Sequence, residues 1–242
     1  MTRLTIIFFL VISISSCHNK ADNTNDISKA ILNDTIIPFN GTWASEAYIR
    51  ILKTTKSPRL SQDSGYFIQI PKSYKDKTFP YLYHEAGGEY HIIKHGTSFY
   101  LKSIDNASDS TEIIVADNGN KLKIWNEVFI KTKDSCGVPE DILFKGNYKL
   151  NGKPVTFNAN GTIVGLDSIK FYAIENDYIG PGFGDLDVVY LGKTSKEKQT
   201  HSFLFKADTL FIYKIKCLEI DSSNGDCLDI ANDKLRYTLI RS

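Results

Sequence analysis

The sequence predicts an all-β protein, an antiparallel up-and-down meander with one short helix after its first strand. Three observations lead there. The chain holds 13 Tyr, 14 Phe and 2 Trp beside a single Met, and aromatic and β-branched side chains suit the pleated, half-buried surface of a sheet. Apolar and polar residues alternate with period two in one run after another, which places one face of each run on a core. Between the runs stand Gly87-Gly88, Asn118-Gly119, Asn151-Gly152 and Asn160-Gly161, where positive φ costs little and tight hairpin turns form.

In chain order, Arg3 supplies a positive charge and Leu4 to Ile12 an apolar run, followed by small polar residues. That is the three-part plan of a secretory signal peptide. The run falls well short of the roughly 20 apolar residues that cross a bilayer as a helix. It closes on Ile14-Ser15-Ser16-Cys17, which resembles the lipobox of bacterial lipoproteins. The resemblance implies cleavage before Cys17, removal of residues 1–16, and diacylglycerol in thioether linkage on Cys17. It further implies a protein lipid-anchored at the bacterial cell envelope, at the outer membrane, facing periplasm or exterior. Two or three acyl chains hold stably where one does not, since each buried methylene contributes about 0.8 kcal/mol.

Residues 17–36 are polar and rich in Asn and Asp, the composition of a tether; within them Asp26 to Leu32 is a candidate for one or two helical turns. Ser45 is placed to cap a helix from Glu46 onward, with Ala47, Tyr48, Ile51 and Leu52 at helical spacing until Pro58 ends it. Strand alternation is plainest in Gly65 to Ile70, Glu89 to Lys94, Ser98 to Lys102, Lys121 to Trp125 and Leu210 to Lys216.

Phe39-Asn40-Gly41-Thr42-Trp43 recurs as Phe144-Lys145-Gly146-Asn147-Tyr148, and Lys121 to Thr132 is echoed by Lys234 to Ser242. The echo predicts two β-barrel-like units, 37–133 and 142–242, joined by a Gly- and Pro-containing linker at 134–141. Each unit offers about eight short strands, enough to close a small barrel. One single β domain over 37–242 is the alternative.

Gly41-Thr42-Trp43 on the first strand resembles the Gly-x-Trp signature of lipocalins and related calycin barrels. The resemblance implies lipocalin-like barrels in which the Trp plugs one end and a basic side chain from the last strand packs across the indole, a contact worth about 0.5 to 2 kcal/mol. Lys131 takes that role with two units, Arg241 with one barrel. The helix after Trp43 and the second half of the chain depart from the family pattern.

Three cysteines follow Cys17. Cys217 and Cys227 flank the turn-rich Asp221 to Asp226, so a disulfide closing that loop is one expectation and leaves Cys136 unpaired; three free thiols are the other.

Removing residues 1–16 takes Arg3 from 29 basic residues and leaves 28 against 28 acidic ones. A neutral chain of interspersed signs lacks the basic surface of a nucleic-acid binder, so no nucleic-acid partner is expected. His84, Glu85, Glu89, His91 and His95 cluster in sequence, and Glu89, His91 and His95 fall on one side of a strand. They are weak metal candidates without Cys or HExxH spacing to support zinc, and no metal or cofactor is expected. Gly180-Pro181-Gly182-Phe183-Gly184 has strand rather than helix behind it and is not a dinucleotide loop. Asp221 to Asp226 lacks the calcium-loop register. No Gly-x-Ser-x-Gly marks a nucleophile. Phe99, Leu101, Phe171, Phe203, Phe205, Phe211 and Tyr213 are candidates for core or for the lining of a cavity.

The expected function is an envelope lipoprotein holding a small apolar or amphipathic ligand in a lipocalin-like barrel. A structural or protein-interaction adaptor is the alternative, and a hydrolase of envelope or glycan material the third.

Overall fold

The computed structural model describes residues 36–242 apart from 66, 77–78, 83–84, 87, 107, 134–136, 177, 179–182 and 226. The signal segment, Cys17, the tether with its candidate helix, His84, Gly87, Cys136 and most of Gly180 to Gly184 lie outside the described residues. No helix among the described residues is long and apolar enough to cross a membrane.

The protein is mostly antiparallel β structure, and among the described residues one α-helix, α1 (Glu46–Thr55), follows directly after the first strand. Strands β1 (Gly41–Ser45), β2 (Phe67–Ile70), β3 (Phe79–Leu82), β4 (Glu85–Ala86), β5 (Tyr90–His95), β6 (Ser98–Ser103), β7 (Ser110–Ala116), β8 (Lys121–Ile124) and β9 (Glu127–Lys131) form one sheet. Their spatial order is β4-β3-β2-β1-β9-β8-β7-β6-β5. The meander therefore curls until its first and last strands pair, but β4 and β5 are left as two edges. Closure of this first unit, expected from its strand number, is not what the structure shows: it is a half-barrel.

The second set does close. Strands β10 (Gly146–Leu150), β11 (Lys153–Phe157), β12 (Thr162–Leu166), β13 (Ile169–Ile174), β14 (Asp187–Gly192), β15 (Lys198–Lys206), β16 (Thr209–Ile220) and β17 (Cys227–Arg241) make an eight-stranded barrel sealed by β10 on β17. Asn151 and Gly152, both at positive φ, turn β10 into β11, as an Asn-Gly hairpin requires. Beyond the barrel wall β16 and β17 run on as a hairpin whose Cys217 and Cys227 are joined by a disulfide.

Rings pack on one another in the core of the closed barrel. Phe144 meets Phe203 at 4.9 Å, Phe157 at 5.5 Å and Tyr172 at 5.5 Å between centroids, and Phe157 also meets Tyr148 at 5.4 Å. Each fully buried ring contributes about 2–3 kcal/mol of transfer free energy. Val155, Leu166, Leu191, Leu210, Ile212 and Leu239 complete the same core.

Strand β1 serves two cores at once. Trp43 faces the half-barrel's core with Phe39, Ile68, Ile70 and Phe129, whereas Ala44, one residue on, belongs with Tyr48, Ile49 and Leu52 of α1 to the core of the closed barrel. Alternation along a strand makes this possible, and it is how α1 comes to lie against the barrel. The attachment is reinforced downstream, where Ser57 Oγ and the Arg59 N–H both donate to Asp187 on β14, at 2.9 and 3.1 Å.

Ser45 occupies the N-cap position but makes no side-chain cap bond, contrary to expectation. Its hydroxyl instead hydrogen-bonds Glu127, because Ser45 is still held in register opposite Phe129 on β9. Gly65 makes this approach possible: at φ +151°, a Cβ there would stand 2.2 Å from Ser45 Oγ. The helix ends as Lys56 turns left-handed and its N–H returns to Leu52 O at 2.9 Å.

Candidate functional site

The two units begin and end in matching clasps. Trp43 Nε1 donates to Phe39 O at 3.0 Å, and Tyr148 OH donates to Phe144 O at 2.9 Å. Lys131 Nζ sits 5.6 Å from the Trp43 ring centroid and the Arg241 guanidinium 5.3 Å from that of Tyr148. The Thr132 N–H bonds Thr42 O and the Ser242 N–H bonds Asn147 O, each at 2.9 Å. Gly41 and Gly146, at φ 121° and 148°, start both first strands. The cation set over Trp43 is Lys131, the residue that a two-unit reading of the sequence names, and Arg241 covers the equivalent Tyr148.

These clasps deliver their basic ends to a groove along α1. Three depressions of about 650, 240 and 160 Å³ line up there, and Lys53 borders all three. The largest lies between α1 and β9, the second between α1, the end of β9 and the turn after Gly137, the third between α1, that turn and the β15–β16 turn. Their apolar floor is Ile49, Ile130, Val138, Ile142, Leu143 and Phe205. Ile49 and Ile130 are shared by the first two, and Ile142 by the last two.

The rim is basic. Arg50, Lys53, Lys56, Lys131, Lys133 and Arg241 border the groove, against Glu46, Glu127, Asp141 and Asp208. Two of those carboxylates are already engaged, Glu46 by Lys121 at 3.0 Å and Asp141 by Lys145 at 2.8 Å. Burial pushes the Glu127 carboxyl above the ordinary range, with the Ser45 hydrogen bond opposing that rise. On the basic side, Lys56 Nζ donates to Ala207 O at 2.7 Å and Arg241 Nη2 to Leu143 O at 2.7 Å. Both are neutral acceptors, and among the described residues no carboxylate forms an ion pair with either cation. Among the described residues no carboxylate pairs with Lys53. A protein of formal net charge only +1 therefore concentrates positive charge over an apolar floor, the pattern that receives an anionic amphipath.

The chain matches no protein-family model, and neither the curated proteins nor the solved structures give a significant match.

The other sequence candidates fall elsewhere. His91 and His95 lie four residues apart on β5, about 13 Å along a strand, and His95 packs edge-on against Tyr100. With Glu89 they do not converge, and among the described residues no group of three His, Cys, Asp or Glu is placed to hold a metal ion. Asp221 accepts from Ser223 N and Oγ at 2.8 and 2.7 Å, an Asx turn. Of the candidates for core or cavity lining, Leu101 and Phe203 are buried core, while Phe99 and Phe205 pack half-buried against the two cores; Phe171, Phe211 and Tyr213 are half-buried. The groove itself escaped the sequence reading. Arg50, Lys53 and Lys56 at three-residue spacing are its one local trace, and such a stripe on an amphipathic helix ordinarily marks a solvated face.

Proposed function

We propose that the protein is a bacterial envelope lipoprotein, lipid-anchored through Cys17, that binds a small anionic amphipath in the groove along α1. The closed barrel is the scaffold in this reading, since Phe144 packs against Phe157, Tyr172 and Phe203 in its buried core. The observation that carries the proposal is the meeting of three depressions at Lys53, with apolar side chains beneath and an excess of cations around them. The ligand's tail would rest on Ile49, Ile130 and Ile142 and its head group on Lys53, Lys56 and Arg241.

The full chain in phosphatidylcholine nanodiscs, titrated with octanoate below its micellar range, tests this against octanol and against empty nanodiscs. Octanoate should bind saturably, octanol about tenfold or more weakly, and Lys53→Glu should weaken octanoate by about tenfold through charge reversal at the head group. Equal binding of octanoate and octanol, or an unchanged affinity in Lys53→Glu, sinks the proposal. The ring-packed barrel core also favours a second reading, an adaptor without a small ligand; crosslinking in intact cells that recovers one defined envelope protein, with no octanoate binding, would establish it instead.

A further inference from the structure

At its other end the closed barrel carries a second, separate cavity. Strand β14 starts at Asp187, bonded to Ser57 beside α1, and ends at Gly192, so Gly192 and the turn after it lie at the end remote from the groove. Here a cavity of about 400 Å³ is bordered by Ser168, Lys193, Lys196, Lys198, Gln199 and Arg236, with Ile169 and Leu191 beneath and Glu197 as the lone bordering carboxylate. Three lysines reach this rim because the β14–β15 turn is tight. A Cβ at Gly192 would meet Glu197 O at 2.1 Å, and Thr194 Oγ1 accepts the Glu197 N–H at 3.0 Å.

Arg236 owes its position to a fault in the ladder. Ile212 pairs with Tyr237 and Tyr213 with Leu235, so Arg236 has no partner across β16. A bulge of this kind re-aims its side chain, and bulges recur at barrel rims for that purpose. Arg236 Nη1 meets His201 Nε2 at 2.5 Å, while His201 Nδ1 lies 2.9 Å from Gln199 O. A carbonyl oxygen only accepts, so Nδ1 bears the proton and Nε2 is the acceptor for the guanidinium. His201 is 2% exposed. Burial first, then the nearby Arg236 and Lys214 charges, hold its imidazole below the ordinary histidine pKa against the Gln199 bond, which keeps it neutral and able to accept.

The guanidinium is thus held by one of its five N–H donors on His201 and lies 5.2 Å from the Tyr237 ring centroid, and Arg236 borders a cavity that three lysines also line. A planar fork of that kind matches the oxygens of a phosphoryl group, with lysines adding point charge. The volume exceeds that of a bare anion and lies in the range of small-molecule sites. Ser168 and Gln199 provide polar groups for the remainder of a ligand.

We propose that this end of the barrel binds a phosphate monoester on a polar, sugar-sized body, with Arg236 as its principal ligand and His201 as the residue that positions Arg236. Neither the groove nor its amphipath is needed for this site. Calorimetry on the full chain in phosphatidylcholine nanodiscs, with glucose 1-phosphate, inorganic phosphate and glucose as probes, tests it, and phosphatidic acid vesicles form a further arm for a lipid head group as source.

Glucose 1-phosphate should bind saturably and at least about tenfold more tightly than inorganic phosphate or glucose. Tighter binding to the vesicles than to glucose 1-phosphate, lost in Arg236→Gln, would support the same chemistry with a lipid as its source, whereas vesicle binding that survives Arg236→Gln would overturn a lipid source for this site. Arg236→Gln should weaken ester binding about tenfold or more, the loss of one charge-assisted interaction. His201→Leu should match it, and His201→Gln, which keeps an acceptor for the guanidinium, should recover part of the affinity, a rescue that a merely structural role would not produce. Lys53→Glu should leave binding unchanged. No saturable ester binding, or equal affinity in the wild type and a folded Arg236→Gln, overturns the proposal.

Discussion

In the first unit β1 is joined to β9 with Trp43 under Lys131, and in the second β10 is joined to β17 with Tyr148 under Arg241. Between these equivalent ends the two regions diverge. The second passes from β10 to β11 through two residues and closes. The first inserts α1 and a 3-10 turn (Arg59–Ser64) between β1 and β2, then continues in β3 and β4, only four and two residues long. Strands so short, with Pro80 in one of them, offer little to pair with, and both shortness and proline are ways in which proteins blunt an exposed edge. A shared beginning and end thus does not commit a meander to closure: the intervening strands must be long enough to carry the ladder round. What the first unit loses in closure it supplies as a helix, which packs at one end of the barrel and forms the groove.

The largest expected effect sets the Phe residues of the two clasps against each other. Phe144→Ala should cost about 4–5 kcal/mol and Phe39→Ala about 3 kcal/mol by urea unfolding, because Phe144 is ringed by Phe157, Tyr172, Phe203 and Phe205 whereas Phe39 meets Phe99 at 5.0 Å. Equal costs would mean that closure confers no tighter packing.

Next come the covering cations. Arg241 also donates to Leu143 O and, at 2.9 Å, to Tyr148 OH, so Arg241→Ala should lower stability by about 2 kcal/mol, and Lys131→Ala by about 0.5–1 kcal/mol for the cation–π contact alone. Arg241→Lys, lacking the fork, should fall between. A Lys131→Ala cost as large as that of Arg241→Ala would make the two clasps energetically alike.

The smallest effect concerns Glu140, 7% exposed in a single π-helical turn (Glu140–Phe144) that leads into the barrel. Burial raises its carboxyl above the ordinary value near 4.5, and the Ile174 N–H bond to Oε1 at 2.8 Å opposes the rise. A carboxyl raised on folding stabilises the fold below its unfolded pKa, and that contribution is lost as pH climbs through the folded one. Glu140→Gln should therefore be the more stable form at pH 7, with the difference vanishing in melts below pH 4.5. An unchanged difference across that window would show that Glu140 is not held at a cost.

Much of the local structure was legible. Alternation names β2, β5, β6, β8 and the first half of β16 to within a residue or two because side-chain period is local. The helix spacing from Ala47 to Leu52 is likewise local, and the echo of Phe39 to Trp43 in Phe144 to Tyr148 points to both clasps. Other features were not, since they depend on partners. Lys234 to Tyr237 gives no sign of the bulge, which exists only relative to the register of β16. Ser45 carries the signature of a cap and spends its hydroxyl on Glu127, which is distant in sequence.

By itself, then, the sequence determined an antiparallel β protein with a helix after the first strand, a Gly-x-aromatic start to each unit and basic residues to cover it. These follow from periodicity and short-range chemistry, which a few neighbouring residues express. Tertiary structure decided that one unit closes and the other stays open, that Lys53 lies at the crossing of three depressions, and that Arg236 turns toward His201. Each of these is set by which strand or helix lies alongside, a relation between segments far apart in the chain that no local pattern encodes.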